Sequence, residues 1–312
     1  MITDLDVRPW PGERSVVTIG AYDGVHLGHQ AVIAEVRARA AGEDARSVVL
    51  TFDRHPATVV RPESAPQLLT SPEHRLELLA DTGIDATVVL RFDEIQAKES
   101  PEAFIARVLI EGLAAKIVVV GEDFHFGNRR DGNVALLDRY GADHDFSVEP
   151  VRLVARVDGI EEPVTSTAIR RALAGGDVDV AARMLGRPHQ VRGTVVLGDQ
   201  RGRLLGFPTA NVEVPNAMCL PADGVYAGHY ERPGGRRHAC AINLGRRPTF
   251  YEHADHSLLE AHLLDFDDDL YGEPARVEFE HFLRSERKFD GIDAIKAQLD
   301  HDVIHARQLV GA

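Results

Sequence analysis

Two histidines three residues apart, His26 and His29, follow a short apolar run and stand among glycines. Gly24 and Gly28 remove side-chain bulk, so a phosphate can approach the backbone. If a helix begins near Leu27, both imidazoles face one pocket, and the helix amide groups add a dipole that favours an anion. This arrangement suits a phosphoryl group in transfer, because that chemistry needs positioning and charge stabilisation. The alternative is a helix cap with two surface histidines.

Two further stretches could complete this phosphate site. At a predicted helix start, Ser166 and Thr167 offer hydroxyls and Arg170 follows about one turn later, which suits a triphosphate; an ordinary N-cap is the alternative. The loop 121–132 mixes aromatic, glycine, amide and acid residues and suits a planar ring and a phosphate, with an exposed turn as the alternative. The nucleotide- or substrate-binding residues predicted in this half are Gly20, Asp23, Gly24, Gly28, Asp123, Phe124, Asn128, Ser166, Thr167 and Arg170.

A separate segment rich in glycine and arginine, 198–211, could wrap the phosphates of a nucleotide. Thr209 and Asn211 offer oxygens two residues apart, which point to one side of an extended segment. Mg²⁺ binds through few protein oxygens together with phosphates and water, so these two residues are candidate metal ligands. A barrel turn that uses Thr and Asn as turn formers is the alternative. The further binding residues predicted in this segment are Gly202, Arg203 and Gly206.

A carboxylate on a predicted strand, Glu260, could accept a proton from an attacking alcohol. Taken alone, Glu260 is better interpreted as an exposed strand residue. The acidic run 267–269 that follows is interpreted as a solvated turn, and the stretch 241–250 as the junction of a strand with a loop.

The elements that must position these residues change in character along the chain. Apolar runs in the first half predict strands over 15–19, 47–52, 86–90 and 117–120. Helical spacing of Ile33, Val36 and Ala40, and Ser-Pro-Glu caps at Ser71 and Ser100, predict helices between them. This alternation indicates a parallel sheet covered on both faces, in which ligands gather at the carboxyl ends of the strands.

Near Leu185-Gly186-Arg187-Pro188 the sequence predicts a helix stop. We place a domain boundary there, which gives domains 1–186 and 187–312. Beyond it, runs separated by turns predict the strands of a small antiparallel barrel, over 190–197, 224–230, 238–244, 258–266 and 275–282. The end of the chain is predicted to be a helix, capped by Asp290, with an apolar stripe of Ile292, Ile295, Leu299 and Val303.

These motifs carry resemblances to known families. The His-x-x-His loop together with Ser166-Thr167-x-x-Arg170 resembles the nucleotidylyltransferase superfamily. With 51–56, 68–70 and 121–132, the first half resembles the FMN adenylyltransferase part of bacterial bifunctional riboflavin kinase/FAD synthetases. The stretches 198–211, 241–250 and 259–272 are similar to the riboflavin kinase family, in which a Pro-Thr-Ala-Asn motif binds magnesium-ATP and the glutamate of a Glu-x-His strand is the presumed base.

The resemblance implies an α/β protein, with a Rossmann-like nucleotidylyltransferase domain followed by a small antiparallel β-barrel riboflavin kinase domain and a carboxyl-terminal helix. It implies that the barrel phosphorylates riboflavin to FMN with ATP and Mg²⁺. The first domain would then adenylylate FMN to FAD and release pyrophosphate. Catalytic roles carry over to His26, His29 and Glu260, and metal ligation to Thr209 and Asn211.

Three positions depart from the usual motifs. Ala21 and Tyr22 stand where Asn and Phe are common, and Thr165 stands where Ser is usual. Tyr22 keeps an aromatic ring and Thr165 a hydroxyl, but Ala21 loses a polar side chain. We therefore expect effects on affinity more than on activity.

Composition limits the classes of partner. A formal charge of −14 on 312 residues argues against nucleic acid and anionic membranes as partners. No apolar stretch reaches the roughly 18 residues of a spanning helix, and the start has no signal-peptide pattern. Cys219 and Cys240 lack metal-ligand spacing, are interpreted as packing residues, and fit a cytoplasmic protein. The oligomeric state stays open.

Three other functions remain compatible with the sequence. Only one half could be active, or the first domain could use a different adenylyl or cytidylyl acceptor. A flavin-binding sensor or scaffold without turnover is the third. The intact set His26, His29, Thr209, Asn211 and Glu260 argues against that last alternative.

Overall fold

A computed structural model describes residues 2–3, 13–151, 156–198, 201–246 and 257–311 of the chain. The strands are β1 Ile2–Thr3, β2 Ser15–Ile19, β3 Arg46–Phe52, β4 Ala86–Leu90, β5 Ala115–Gly121, β6 His125–Phe126, β7 Gly132–Asn133, β8 Ser147–Val151, β9 His189–Val196, β10 Ala210–Glu213, β11 Gly224–Glu231, β12 Arg237–Arg246, β13 Ser257–Leu263 and β14 Pro274–Arg284. The α-helices are α1 Leu27–Gly42, α2 Ala57–Val60, α3 Pro72–Asp81, α4 Pro101–Phe104, α5 Val134–His144, α6 Ser166–Ala174, α7 Val178–Leu185, α8 Arg201–Leu205 and α9 Ile292–Val310, and a π-helix, Ile105–Gly112, continues α4. Parts of two predicted segments, 199–200 and 247–250, lie outside the described residues.

A parallel sheet organises the amino-terminal part of the chain. Its strands lie in the order β1-β4-β3-β2-β5-β8, and every neighbouring pair is parallel. Alternate strand residues enter two different cores: Val17 packs with the π-helix and α5, whereas Val16 packs with α1 and α3. The sheet is therefore covered on both faces, as the alternating strand and helix signals predicted.

Local capping signals locate two helix starts correctly. The Ser71 side chain accepts a hydrogen bond from the amide of His74, and the Ser100 side chain accepts one from Ala103. A proline occupies the first helical turn in both helices. Each serine therefore satisfies one of the amides that a helix amino terminus leaves without an internal partner.

The carboxyl-terminal strands form a closed antiparallel barrel in the order β10-β13-β12-β11-β14-β9. Fully buried rings of Tyr226, Tyr230 and Phe279 contribute to its interior. Helix α9 packs against β11, β12 and β14. Buried Asp302 of this helix accepts hydrogen bonds from Arg284 at the end of β14, the shortest at 2.7 Å, so an ion pair joins the helix to the barrel.

Two details of the carboxyl-terminal part differ from the predictions. Helix α9 begins after Gly291, which has no side chain to cap it, so the prediction of Asp290 as the cap is wrong. The strand predicted over 258–266 ends at Leu263, because the chain turns through Asp265 in a left-handed conformation (φ 53°).

Internal contacts divide the chain into two compact units, Met1–Arg156 and Val157–Ala312. Helix α7 ends at Gly186, a left-handed C-cap with φ 76°, so the predicted helix stop is confirmed. Helices α6 and α7 pack on each other, and α7 packs on β9 and β14. The domain boundary after residue 186 stays a prediction.

Among the described residues, no helix combines the length and apolar character needed to cross a membrane. Cys219 and Cys240 are both buried free thiols, as their interpretation as packing residues requires. Burial raises the pKa of Cys240 and keeps its thiol protonated.

Candidate active sites

A tight turn connects strand β2 to helix α1. Three of its residues have left-handed backbone conformations: Tyr22 (φ 50°), Gly24 (φ 85°) and Val25 (φ 39°). This conformation costs nothing at glycine but is strained for tyrosine and, above all, for β-branched valine. Such strain persists only where the surroundings enforce it, and it concentrates at functional sites.

The two predicted histidines meet at the end of this turn. His26 is the N-cap of α1, and its Nδ1 accepts a hydrogen bond of 3.3 Å from the His29 amide. Nδ1 therefore carries no proton, and the neutral His26 ring has its N–H at Nε2. The His26 and His29 rings stack with their centroids 3.6 Å apart and an interplanar angle of 15°. The structure thus brings both imidazoles to one place.

The surroundings of His29 keep its imidazole neutral. Burial holds the pKa of His29 well below its ordinary value. Its Nδ1 is buried and has no hydrogen-bond partner among the described residues. The Tyr22 ring lies 4.9 Å away and is fixed by a 2.7 Å hydrogen bond to Thr18. His29 is therefore a rigid neutral group with an unused polar atom, which suits hydrogen bonding to a ligand.

Asp23 anchors the turn. Its buried carboxylate accepts hydrogen bonds from the amides of Leu69 and Thr70 and from the Thr70 hydroxyl, at 3.0–3.2 Å. The Gly24 amide in turn donates to the Thr70 hydroxyl. The Asp23 side chain thus connects the turn to the segment before α3, and the binding role predicted for Asp23 stays a prediction.

The predicted aromatic loop is a short hairpin of β6 and β7. Phe124 stacks on Phe126, with ring centroids 5.4 Å apart, and packs against the core. Gly127 lies against Pro101 with no room for a Cβ, and the Asn128 amide donates to the Glu99 carbonyl at 2.8 Å. An open polar cavity of about 560 Å³ adjoins Asn128, and Asp123 is exposed at the hairpin's start.

The second element of the predicted phosphate site is the start of α6. Thr165 is its N-cap and accepts a 3.0 Å hydrogen bond from the Ala168 amide. Ser166 and Thr167 therefore lie in the first turn rather than at the cap, and Arg170 follows one turn later. Their predicted role in phosphate binding stays a prediction.

On the barrel, the two predicted residues Asn211 and Glu260 form a row across neighbouring strands with a third polar residue, Asn243. Asn211 of β10 pairs in register with Glu260 of β13, and Glu260 pairs with Asn243 of β12. Residues directly opposite in antiparallel strands present their side chains on the same face. The amide of Asn243 lies 3.5 Å from the Glu260 carboxylate. Glu260 is thus held beside the candidate metal ligand.

A cavity of about 510 Å³ is lined by Arg203, Thr209 and Asn211, so Asn211 is the member of the row that lines it. Oδ1 of Asn211 is buried and has no hydrogen-bond partner within the part of the chain that the structure describes. Gly198 lies so close to the Asn211 side chain that a Cβ would clash, and Gly202 lies equally close to the Phe207 carbonyl. The amide oxygen of Asn211 and the hydroxyl of Thr209, which lines the same cavity, are hard oxygen ligands of the kind that Mg²⁺ prefers.

The acidic run after β13 is exposed and lies outside the strands, as its interpretation as a solvated turn predicted. Asp267, Asp268 and Asp269 line the same cavity as the candidate metal ligands. Arg232 holds this loop: it pairs with Asp268 and with Glu273, and its guanidinium lies 5.2 Å from the centre of the Phe266 ring.

Three residues that support the barrel site were not predicted from the sequence, namely Asn243, Arg232 and His262. Nδ1 of His262 donates a 2.7 Å hydrogen bond to the Pro208 carbonyl, directly before Thr209. The Glu-x-His spacing contained a signal for His262, because residues two apart on a strand share a face. Arg232 carried no local signal.

Comparisons with known proteins agree for both halves of the chain. Residues 9–168 match the family model described as FAD synthetase, and residues 185–310 match riboflavin kinase. The chain is 37% identical over 295 residues to the bifunctional riboflavin kinase/FMN adenylyltransferase of Listeria monocytogenes, covering 94% of this chain and 91% of the relative. It is 35% identical over 301 residues to the Escherichia coli K12 enzyme of the same name, covering 96% and 94%.

A solved structure supports the same architecture. A crystal structure from Streptococcus pneumoniae, described as a macrolide-efflux protein, superposes with a TM-score of 0.85 at 29% identity and covers 98% of both chains. Together with the two matching family models and the relatives above 30% identity, this places the chain by sequence as well as by fold. The chain belongs to the family of bifunctional riboflavin kinase/FMN adenylyltransferases.

Proposed function

We propose that this chain phosphorylates riboflavin to FMN at its barrel and adenylylates FMN to FAD in its nucleotidylyltransferase domain, with ATP as co-substrate in both steps. The proposal rests on two polar sites found in a member of the riboflavin kinase/FMN adenylyltransferase family. One is the stacked His26–His29 pair, and the other is the row Asn211–Glu260–Asn243. Incubation of the purified protein with riboflavin and magnesium-ATP should give FMN first and FAD second. Riboflavin that stays unconverted would refute the proposal.

At the barrel, Glu260 takes the proton from the ribityl 5′-hydroxyl as that oxygen attacks the ATP γ-phosphate. Asn243 keeps the Glu260 carboxylate in place from the neighbouring strand. Thr209 and Asn211 would hold Mg²⁺ through their side-chain oxygens, and Gly202, Arg203 and Gly206 belong to the loop that surrounds the phosphates. Mg²⁺, when bound, would supply charge neutralisation on the nucleotide phosphates.

In the adenylyltransferase reaction, a phosphate oxygen of FMN attacks the ATP α-phosphorus and pyrophosphate leaves. The FMN phosphate is already an anion, so the step needs no strong base. The Nε2–H of His26 and the ring of His29 stabilise the negative charge that develops on the transferring group. Ser166, Thr167 and Arg170 hold the β- and γ-phosphates, and Asn128 with its hairpin contacts ATP or the flavin phosphate.

His26 has both a capping and a catalytic role, and two substitutions separate them. Asparagine caps helices well, so His26→Asn should keep the thermal midpoint near that of the wild type. It should still lower the rate of FMN-to-FAD conversion on the order of 100-fold, because the Nε2–H is lost. His26→Ala should show the same loss of rate and should also lower the free energy of unfolding by about 1 kcal/mol. Wild-type FAD synthesis by His26→Asn would leave His26 with the capping role alone.

The kinase half should work by itself. A fragment beginning at residue 187 should convert riboflavin to FMN. A fragment beginning at residue 157 should do so with a higher thermal midpoint, because it keeps α7, which packs on β9 and β14. Circular dichroism would establish folding, and chromatography would measure FMN. If the shorter fragment folds but only the longer one is active, the boundary after residue 186 is wrong.

A further inference from the structure

A buried arginine lies beneath the histidine turn. Arg75 of helix α3 is only 4% exposed, although arginine is almost never this buried unless its charge or donors are satisfied. Its Nη1 donates to the Ala21 carbonyl at 3.0 Å, and its Nη2 donates to the Phe52 carbonyl. Its Nε has no hydrogen-bond partner among the described residues.

The two carbonyls show what the guanidinium holds. Ala21 directly precedes the left-handed turn that leads to His26, and Phe52 is the last residue of β3, the strand next to β2. One planar fork therefore joins the carboxyl ends of two adjacent strands, which the single ammonium of a lysine cannot do with the same geometry. The Thr51 hydroxyl adds a 3.2 Å hydrogen bond to the same Ala21 carbonyl.

Burial of the Arg75 guanidinium is energetically unfavourable, which argues for a role beyond packing. Burial lowers the pKa of Arg75, while the carboxylates of Asp23, Asp53 and Glu73 counteract part of that effect. A cation in a buried place pays a desolvation penalty that backbone carbonyls offset only in part. The positive charge lies below a turn where phosphate charge collects during the proposed reaction, and there it adds favourable potential without reorganisation.

We propose that Arg75 is a positioning residue of the adenylyl-transfer site, which fixes the turn before His26 and supplies a buried positive charge beneath it. The proposal rests on the proposed function of the His26–His29 pair. Arg75 donates its hydrogen bonds to the carbonyls of Ala21 and Phe52. It acts through its hydrogen bond to the Ala21 carbonyl and through the electrostatic potential of its positive charge.

Two substitutions separate geometry from charge. Arg75→Lys keeps the charge but loses the fork, and Arg75→Met loses both. We expect kcat for FMN-to-FAD conversion to fall roughly 10-fold in the first and on the order of 100-fold in the second, since small misplacements of catalytic groups have effects of this size. Riboflavin-to-FMN turnover should not change. Arg91→Lys, at an exposed arginine of the same unit, is the matched control and should retain both activities.

A double-mutant cycle tests whether Arg75 acts through the histidine turn. Arg75→Lys should lower kcat for FMN-to-FAD conversion roughly 10-fold in the wild type but about 3-fold or less in the His29→Ala background, because the effects of coupled residues are not additive. The proposal would be overturned if Arg75→Lys lowered the rate by the same factor in both backgrounds. Unchanged FAD synthesis by Arg75→Lys would also overturn it. If Arg75→Met fails to fold, Arg75→Lys and its cycle decide. A wild-type protein that makes no FAD from FMN would instead refute the underlying function.

Discussion

His29→Ala is expected to stop FAD synthesis and to make the protein accumulate FMN from riboflavin. The His29 and His26 rings stack with their centroids 3.6 Å apart, and the buried Nδ1 of His29 has no hydrogen-bond partner among the described residues. His29 is therefore already in place before the reaction and need not reorient during it. Losing one preorganised stabiliser of transition-state charge typically lowers turnover on the order of 100-fold or more. The measurement is the initial rate of FAD formation from FMN and ATP.

Riboflavin kinase activity provides the internal control for His29→Ala, because Thr209 and Asn211 belong to the barrel. Its rate should equal that of the wild type. His144→Ala, which removes an exposed histidine stacked on Tyr140, should leave both activities intact. FAD formation by His29→Ala at the wild-type rate would contradict the role given to the histidine pair.

Glu260→Gln should abolish FMN formation while leaving FMN-to-FAD conversion nearly intact. The substitution keeps the size of the side chain but removes the proton acceptor beside Asn211. General-base catalysis typically contributes 100- to 10,000-fold, so we expect a loss on the order of 1,000-fold in kinase turnover. The measurement is FMN formation from riboflavin at saturating magnesium-ATP.

Two companion variants sharpen this test. Asn211→Ala should also abolish FMN formation, but by weakening the binding of Mg²⁺, because it removes a candidate ligand. Glu231→Gln, which alters a carboxylate paired with Arg276 elsewhere on the barrel, should be nearly silent. Near-normal kinase turnover of Glu260→Gln would show that the base is another group.

Local signals in the sequence predicted much of the fold. Apolar runs gave strands β2 and β4 with their observed bounds, and Ser71 and Ser100 cap helices as predicted. Strand β8 escaped prediction because its five residues include Glu149 and Pro150, and proline is tolerated there only because β8 is an edge strand.

The sequence predicted which residues belong to the candidate sites, but not how these residues are arranged. The motifs identified His26, His29, Asn211 and Glu260. Nothing local indicated which nitrogen of His26 carries the proton, or that Asn211 Oδ1 lacks a hydrogen-bond partner in the described part of the chain. Arg75 was missed for the same reason. Its partner Ala21 is 54 residues away, and only the packing of α3 against the sheet brings the two together.

The proposed function requires two independent active sites that act in sequence, and mixing two variants, each inactive at one site, tests this most directly. From riboflavin, His29→Ala alone should stop at FMN, and Glu260→Gln alone should yield nothing. The two proteins mixed in solution with magnesium-ATP should produce FAD, because FMN released by the first variant is adenylylated by the second. A mixture that makes FMN but no FAD, although Glu260→Gln alone converts added FMN to FAD, would contradict the claim that FMN passes freely between independent sites. FAD production from riboflavin by either variant alone would contradict the assignment of its site.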